Sequence, residues 1–571
     1  MGLPGRPSPG DIVQTINPPA LATPEGNQEH DKVSMNAVDL SDTKNRHLGK
    51  ILALQAAANG DTDFLITDEQ RITFAEAETL SNRLATGFAE LGVGRGDRVS
   101  FYVGNVPELV LMCLALNKLG AIWVPVCTDY KGEWLSDTLT RSRADVLVTD
   151  REHLEQISEI AARLGHHHLV VIEEEAAGDA GAVSFSQLAE HPPLDPAYDT
   201  MDYCDTNAIL WTSGTTGKSK GVMVAHNNWI RSTLLGTALQ YETRKGDIAY
   251  CAMPLYNAGA WLTSIVRALM MGIGVVIEKK FSVTQFMERI KHFGATQTFA
   301  VGSMGVFLMG TPEREDDADT PLREAGIVPL PPAMWEDFAR RFDVKLVRSG
   351  LGQSECLLTL NHEHCDIDAP VYALGWPPPD ADVRLFDDDG NEVPDGEAGE
   401  ICVRPLEPCI LFNGYFDNPE ATAAAFRGDW FLTGDMARKD PQNGAFFFVD
   451  RKKDAVRFAG RNISTVEVES VVMRHPDVAQ AAAFGIPSEA LDSEDELKIN
   501  LVLKANAAPS HEEIAAFIND NAPYYFVPRY MEFVDALPYT PTNKVQKYQL
   551  RNTGVTDTTW DLQDSHYKPK R

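Results

Sequence analysis

The chain is poor in positive charge. Its 571 residues carry 51 Lys and Arg against 82 Asp and Glu, a formal net charge of −31. Phosphate backbones are held mainly by Lys and Arg, so nucleic acid is excluded as the main partner, and the charge reads as a solubility feature. Cysteine is scarce too. There are eight, with no CxxC pair, which argues against a zinc or disulfide framework and for a reducing, cytoplasmic setting. Cys402 and Cys409, the nearest pair with any symmetry, read as strand and loop residues. No apolar run reaches the ~20 residues of a membrane helix uninterrupted. The nearest approach, residues 260–277, contains Arg267, Gly272 and Gly274, and its Val-Val-Ile end has strand composition. A buried helix followed by a buried strand is expected there, and no transmembrane segment. The opening MGLPGRPSPGDIVQTINPPALATPEG lacks the apolar core of a signal peptide and the basic pattern of a transit peptide, so residues 1–47 are expected as a disordered tail. The closing HYKPKR lacks the peroxisomal Ser-Lys-Leu, and residues 556–571 are expected as a second tail.

What is present is ordinary globular material, 44% hydrophobic and 23% charged. At ~150 residues per domain the length allows two to four domains. From about residue 62 short β-rich runs alternate with helical ones: DRVSFYVG (97–104), PELVLMCLALNKLG (107–120), AIWVPV (121–126), ADVLVTD (144–150) and HLVVIEE (168–174). Continuous Val/Ile-rich strands between helices predict parallel sheets covered on both faces. After about residue 370 the pattern turns to short strands with Asp-Gly turns, as in DVRLFDDDGNEVPDGEAGEICVRP (382–405). The expected fold class is α/β multidomain. A large domain (48–452) of parallel-rich α/β sheets includes a β-rich subdomain from about 370, and a small mobile α+β domain spans 453–555.

The most informative segment is AILWTSGTTGKSKGVMVAH (208–226). A β-run ends at Thr212-Ser213-Gly214-Thr215-Thr216-Gly217-Lys218-Ser219-Lys220-Gly221. Glycines let a loop turn its amides inward, hydroxyls add donors, and Lys220 adds a mobile positive charge, which together suit nucleotide phosphates. A Walker A loop needs Gly-x4-Gly-Lys-Ser/Thr, and counting back from Gly217-Lys218-Ser219 finds Thr212 where the first glycine belongs. GVGRGD (92–97) precedes a strand and reads as a helix–strand turn, not a dinucleotide loop. His166-His167-His168 and His362-Glu363-His364-Cys365 lack the ligand spacing of a zinc site.

With its TSGTTGxPKG-like loop the chain resembles the adenylate-forming acyl-CoA synthetases, relatives of the luciferases and of peptide-synthetase adenylation domains, and the resemblance runs from about Leu48 to Arg551. It implies binding of ATP, Mg2+ and coenzyme A, with a small carboxylic acid as the fourth participant and a homodimer left open. Thr212, Ser213, Gly214, Thr215, Thr216 and Gly217 would cradle phosphates together with Lys220. MPLYNAGAW (253–261) would line the acyl pocket through Tyr256, Asn257, Gly259 and Trp261, joined by Val301 and Met304. Gly326, Ile327 and Val328, in GIVPL, would lie beside adenine together with Leu351 and Gln353 of SGLGQSE (349–355). There Glu355 would hold the magnesium ion and Ser354 would contact the α-phosphate. Asp435 of FLTGD and Arg451 of DRKKD would take the ribose, Lys453 would be the hinge, and Gly460 would lie near the thiol entry. In LPYTPTNKVQKYQLR (537–551) Lys544 would be catalytic, leaving Lys547 as a solvated helix charge.

Four positions depart from the family pattern: Ser219 for proline, Leu351 for an aromatic on adenine, Asn257 for histidine and Asn543 for glycine. None removes a group that the chemistry requires. The run CLALNKLGAIWVPVCTDYKGEWL (113–135) looks most like the carnitine/crotonobetaine-CoA and fatty-acid-CoA ligase branch. Tyr256 and Trp261 would then face an alkyl chain, or a trimethylammonium group by cation–π contact. The expected activity is an ATP-dependent acid–CoA ligase. A carrier-protein-loading relative and a non-catalytic nucleotide-binding homologue are the alternatives.

Overall fold

The computed structural model describes residues 38–172, 181–212, 219–237, 240–348, 350–362, 370–452, 456–458, 461–463, 465–488, 495–539 and 545–570. Two seven-stranded sheets form the large domain. One runs, in spatial order, Val183–Ser184, His168–Val171, Val146–Thr149, Arg98–Tyr102, Ile122–Pro125, Thr206–Thr212 and Lys220–Ala225. Its strands pair in parallel except for the last, which folds back antiparallel on Thr206–Thr212. The other runs Lys345–Leu346, Glu324–Val328, Gln297–Val301, Ile248–Cys251, Gly274–Ile277, Asp63–Ile66 and Arg71–Thr73. Strands such as Val146–Thr149 and Gly274–Ile277 are buried at every residue, as Val/Ile-rich strands covered on both faces must be.

The helix Pro107–Leu119 is enclosed on all sides, which fits its nearly unbroken apolar sequence. Its one deep charge, Lys118, is neutralised by Glu78 at 2.6 Å. The suspect apolar stretch resolves as expected into helical turns through Met271, a left-handed Gly272 and the strand Gly274–Ile277. Among the described residues no helix is long and apolar enough to cross a membrane. A five-stranded antiparallel sheet follows, built on Ala381–Phe386, Ala398–Pro405, Trp430–Lys439 and Phe446–Arg451 with the short Phe426–Arg427. The small domain carries a four-stranded sheet from Val478–Pro487 to Trp560–Asp561, with its own core around Ile499, Leu501, Ile514 and Met531.

Three expectations need correction. Residues 38–47, assigned to the tail, are packed: Val38 and Leu40 are buried, and His47 lies inside the core against His226. Residues 556–570 are not a loose end either. Trp560–Asp561 adds a strand to the small sheet, and Thr556 and Thr558 donate hydrogen bonds to Glu532 at 2.6 and 2.7 Å. Last, Cys204 and Cys409 form a disulfide across 205 residues. A spacing rule cannot see such a pair, because the loop carrying Cys204 meets residues 408–413 only through tertiary packing, where Asn413 Nδ2 donates to the Cys204 carbonyl at 2.9 Å.

Candidate active site

Both ends of the Ser/Thr/Gly loop are held by one helix, Gly132–Ser142. Its Arg141 lies over the Trp211 ring at 4.7 Å and donates to the Ser219 carbonyl at 2.8 Å, while Trp211 Nε1 donates to Ser142 Oγ at 3.0 Å. Thr212 and Lys220 face each other across the hairpin end, with Thr212 Oγ1 donating to the Lys220 carbonyl at 3.3 Å. Ser213, Gly214, Thr215, Thr216, Gly217 and Lys218 lie outside the described residues.

Ser354 and Glu355 form the turn between Leu351–Gln353 and Cys356–Leu360. This hairpin closes so tightly that a Cβ on Gly352 would stand 2.2 Å from the Leu357 carbonyl oxygen, so only glycine fits. Glu355 is tied to the strand Lys220–Ala225 by residues 412–416, which carry no motif that the sequence reveals. Phe412 N–H donates to the Glu355 carbonyl at 2.8 Å, Asn413 N–H to Met223 at 2.8 Å, and Phe416 N–H to Gly221 at 2.7 Å. Between them stands the buried Tyr415. Its hydroxyl donates to Glu355 Oε1 at 2.8 Å, and the Lys220 ammonium sits 4.6 Å from its ring centroid. Burial, and then the nearby carboxylate, push the phenol pKa upward, so Tyr415 remains a donor at neutral pH.

The contacts continue. Gln353 Nε2 donates to the Thr433 carbonyl at 3.4 Å, and the strand Trp430–Lys439 carries Asp435 two residues on. Asp435 and Arg451 are register partners, with Arg451 Nε 3.5 Å from the Asp435 carboxylate. Gly326, Ile327 and Val328 end the strand Glu324–Val328. At Gly326 a Cβ would fall 2.6 Å from the Tyr241 hydroxyl, which packs the second sheet close at this point.

The proposed acyl positions divide. Tyr256, Asn257, Gly259 and Val301 are partly exposed, whereas Met304 and Trp261 are buried. Trp261 stacks on Trp123 at 4.4 Å and donates to the Leu255 carbonyl at 2.7 Å, so it is a core residue and presents no free face to an acyl chain. The hydrophobic run around it decides that: a large ring in a helix apolar all round belongs to the interior. Tyr256 is partly exposed as a residue and hydrogen-bonds Cys127, whose thiol burial pushes up to about 11.

Lys453, Gly460 and Lys544, together with Asn543 and Glu363 to Cys365, lie outside the described residues. Lys547 is described, and it is not a solvated charge. It pairs with Glu469 at 2.8 Å and donates to Thr465 Oγ1 at 2.6 Å. Thr465 opens the helix Thr465–Val472, and its N–H and hydroxyl both donate to Asp450 of the large domain, at 2.6 and 2.8 Å. Helical spacing within Lys547–Thr553 cannot reveal a partner on another helix.

The AMP-binding enzyme family matches residues 52–416, and the AMP-binding enzyme C-terminal domain matches residues 467–544. The chain belongs to the adenylate-forming (AMP-binding) acyl-CoA synthetase family. It is 30% identical over 513 residues to the crotonobetaine/carnitine–CoA ligase of Salmonella agona strain SL483, covering 87% of this chain and 97% of that one. The protein of the same name from Escherichia coli O1:K1 / APEC is 30% identical over 495 residues, covering 84% of this chain and 93% of the relative. Among solved structures, the anthranilate CoA ligase AuaEII in complex with anthranoyl-AMP superposes with a TM-score of 0.81 at 25% identity, covering 89% of this chain and 97% of its own. The benzoate CoA ligase from Burkholderia xenovorans LB400, at 24% identity and a TM-score of 0.79 over 88% of this chain and 99% of its own, shares the fold.

Proposed function

We propose that this enzyme is an ATP- and Mg2+-dependent acid–CoA ligase acting on an aliphatic, fatty or betaine-type acid. It activates the acid as acyl-AMP with release of pyrophosphate, then passes the acyl group to CoA. The observation that carries the reading is the run of contacts from Lys220 through Tyr415 to Glu355, and from Gln353 through Thr433 to Asp435 and Arg451. Along it stand, in order, a cation for phosphates, a carboxylate for a divalent ion, and a carboxylate–guanidinium pair for a ribose.

A carboxylate is a weak nucleophile toward a polyanion, so charge neutralisation and alignment carry the first step. Lys220 and Lys544 supply positive charge, and Thr212, Ser213, Gly214, Thr215, Thr216 and Gly217 supply donors around the phosphates. Glu355 suits Mg2+, because Tyr415 occupies only one lone pair of Oε1 and leaves Oε2 open. When bound, the ion offsets charge on the phosphate oxygens. Ser354 serves the α-phosphate, Gly326, Ile327, Val328, Leu351 and Gln353 border the adenine, and Asp435 accepts from the ribose hydroxyls. The small domain turns about Lys453 between the steps, so that the thiol can displace AMP with no covalent enzyme intermediate.

For the acid, support comes from relatives named as crotonobetaine/carnitine–CoA ligases and from Tyr256, an aromatic ring able to meet a trimethylammonium group or an alkyl chain. Asn257, Gly259 and Val301 border the same region. Pyrophosphate release across a panel of fatty, betaine-type and aromatic acids, with and without CoA, tests the reading. Acid-dependent pyrophosphate and CoA-dependent thioester are expected, with adenylation lost in Lys544→Ala. Absence of acid-dependent pyrophosphate from the wild type would overturn the activity. Preference for aromatic acids would overturn the substrate class.

A further inference from the structure

Tyr415 has no place in the reaction as drawn, yet it touches two groups that do. It lies in a segment pinned on one side to the strand Lys220–Ala225 at Gly221 and Met223, and on the other to the backbone of Glu355. Its ring faces Lys220 at 4.6 Å and its hydroxyl meets Glu355 at 2.8 Å. The ring is itself fixed, edge-on to Phe412 at 4.8 Å, and Tyr415 N–H donates to Thr422 Oγ1 at 2.8 Å. Lys220 and Glu355 are opposite charges that would otherwise be free to collapse onto each other. A direct ion pair would satisfy both and leave neither to a nucleotide or a cation. A neutral aromatic donor between them gives each a weaker partner, a π face for the ammonium and one hydrogen bond for the carboxylate.

We propose that Tyr415 is a positioning residue that keeps Lys220 and Glu355 apart and aimed, its ring holding the ammonium for phosphate and its hydroxyl orienting the carboxylate for Mg2+. The inference rests on the ATP–Mg2+ reading of this site. It predicts separable losses. Tyr415→Phe keeps the ring and removes the hydroxyl, so it weakens the metal's contribution alone. Tyr415→Leu removes both and also weakens ATP without metal.

Calorimetric titration of the full chain with ATP, in excess Mg2+ and in EDTA and without any carboxylic acid, reads this with no turnover. The quantity is the gain in ATP affinity that Mg2+ confers. In Tyr415→Phe this gain falls about tenfold, as expected for losing one hydrogen bond to a charged group, while affinity in EDTA stays within about twofold of wild type. Tyr415→Leu loses affinity in EDTA as well. On a Glu355→Gln background Tyr415→Phe brings no further fall, because both act through one carboxylate. Should Tyr415→Phe not fold, Glu355→Asp, which draws the carboxylate back from the phenol, must reproduce the lost gain. A wild-type gain in Tyr415→Phe or in Glu355→Asp overturns the proposal, and so does an equal loss with and without metal. A wild type that shows no Mg2+-dependent ATP binding overturns the ATP–Mg2+ reading instead.

Discussion

Arg231 and Asp380 form the pair whose removal should be felt furthest from where it is made. Arg231 lies in the helix His226–Ser232 that follows the strand Lys220–Ala225, and Asp380 stands just before the strand Ala381–Phe386. Both N–H···O contacts measure 2.6 Å, and the side chains are only 4% and 10% exposed. The guanidinium also donates to the Leu358 carbonyl at 2.8 Å, on the strand that leaves Glu355. Asp380→Ala leaves a buried charge with only neutral hydrogen-bond partners, that carbonyl and the Cys356 thiol, a loss of about 3–5 kcal/mol. At roughly 2 °C per kcal/mol, Tm should fall by about 6–10 °C. Replacing both partners, Arg231→Met with Asp380→Leu, should recover most of this, since a buried pair is often matched by apolar groups of similar volume. Because the pair joins the helix after Lys220–Ala225 to the Glu355 hairpin, KM for ATP should rise in Asp380→Ala and partly recover in the double variant. Differential scanning fluorimetry with a double-mutant cycle measures the first effect, and initial rates measure the second. A Tm loss under about 2 °C for Asp380→Ala, or a double variant less stable than either single one, would refute the reasoning.

Acid should loosen the large domain through His47 and His226, whose rings lie 3.8 Å apart in the core. Burial, with Lys50 and Lys118 nearby, holds His47 down to about 3, and burial holds His226 well below its usual value. Between about pH 6.5 and pH 3 the unfolded chain binds protons that the native state refuses, so this stability is complete above 6.5 and is lost as pH falls through that window. At pH 5 His47 accounts for a loss of about 2 kcal/mol, and His47→Phe should lower the Tm difference between pH 7.5 and 5. An unchanged pH slope in that variant would count against the account. Truncation after Val555 should weaken the small domain by about 2–4 kcal/mol, because it strips Thr556, Thr558 and Thr559 from the Lys498–Glu532 pair and removes a strand. Limited proteolysis of the small domain reads this, and an unaltered cleavage rate would contradict it.

The candidate site's motifs are the parts that announce themselves locally. A Gly/Ser/Thr loop behind a β-run, a glutamate after a glycine-rich turn and an aspartate closing FLTGD can each be proposed from sequence because their chemistry is concentrated in a few adjacent residues. Tyr415 was not, since its partners stand 60 and 195 positions away (Glu355 and Lys220) and its own neighbours carry no charge signature. Lys547 differs from expectation for the same reason: the motif that favours Lys544 leaves it a solvated charge, and Glu469 reaches it from another helix. Trp261 erred the other way. Its motif neighbours Tyr256 and Asn257 are partly open, but one turn further along the helix the side chain already faces Trp123. Cysteine spacing failed at Cys204 and Cys409 because the approach is tertiary. The ends failed because composition measures what a segment lacks, and a few residues such as Val38, Leu40 and Trp560 are enough to anchor one.

The Asp450–Thr465 junction bears on how the two domains are held. Asp450 lies in the strand Phe446–Arg451 of the large domain, and Thr465 begins the helix Thr465–Val472 of the small one. Any arrangement in which the small domain stands away from Asp450 must give up both hydrogen bonds to its carboxylate, while Thr465 and Lys547, which share the small domain, stay together. Two bonds to an ionised acceptor bias such an equilibrium by roughly 3 kcal/mol or more, above a hundredfold in population. The junction therefore works as a latch on the arrangement described, weighting it in population through residues that stand apart from the candidate site.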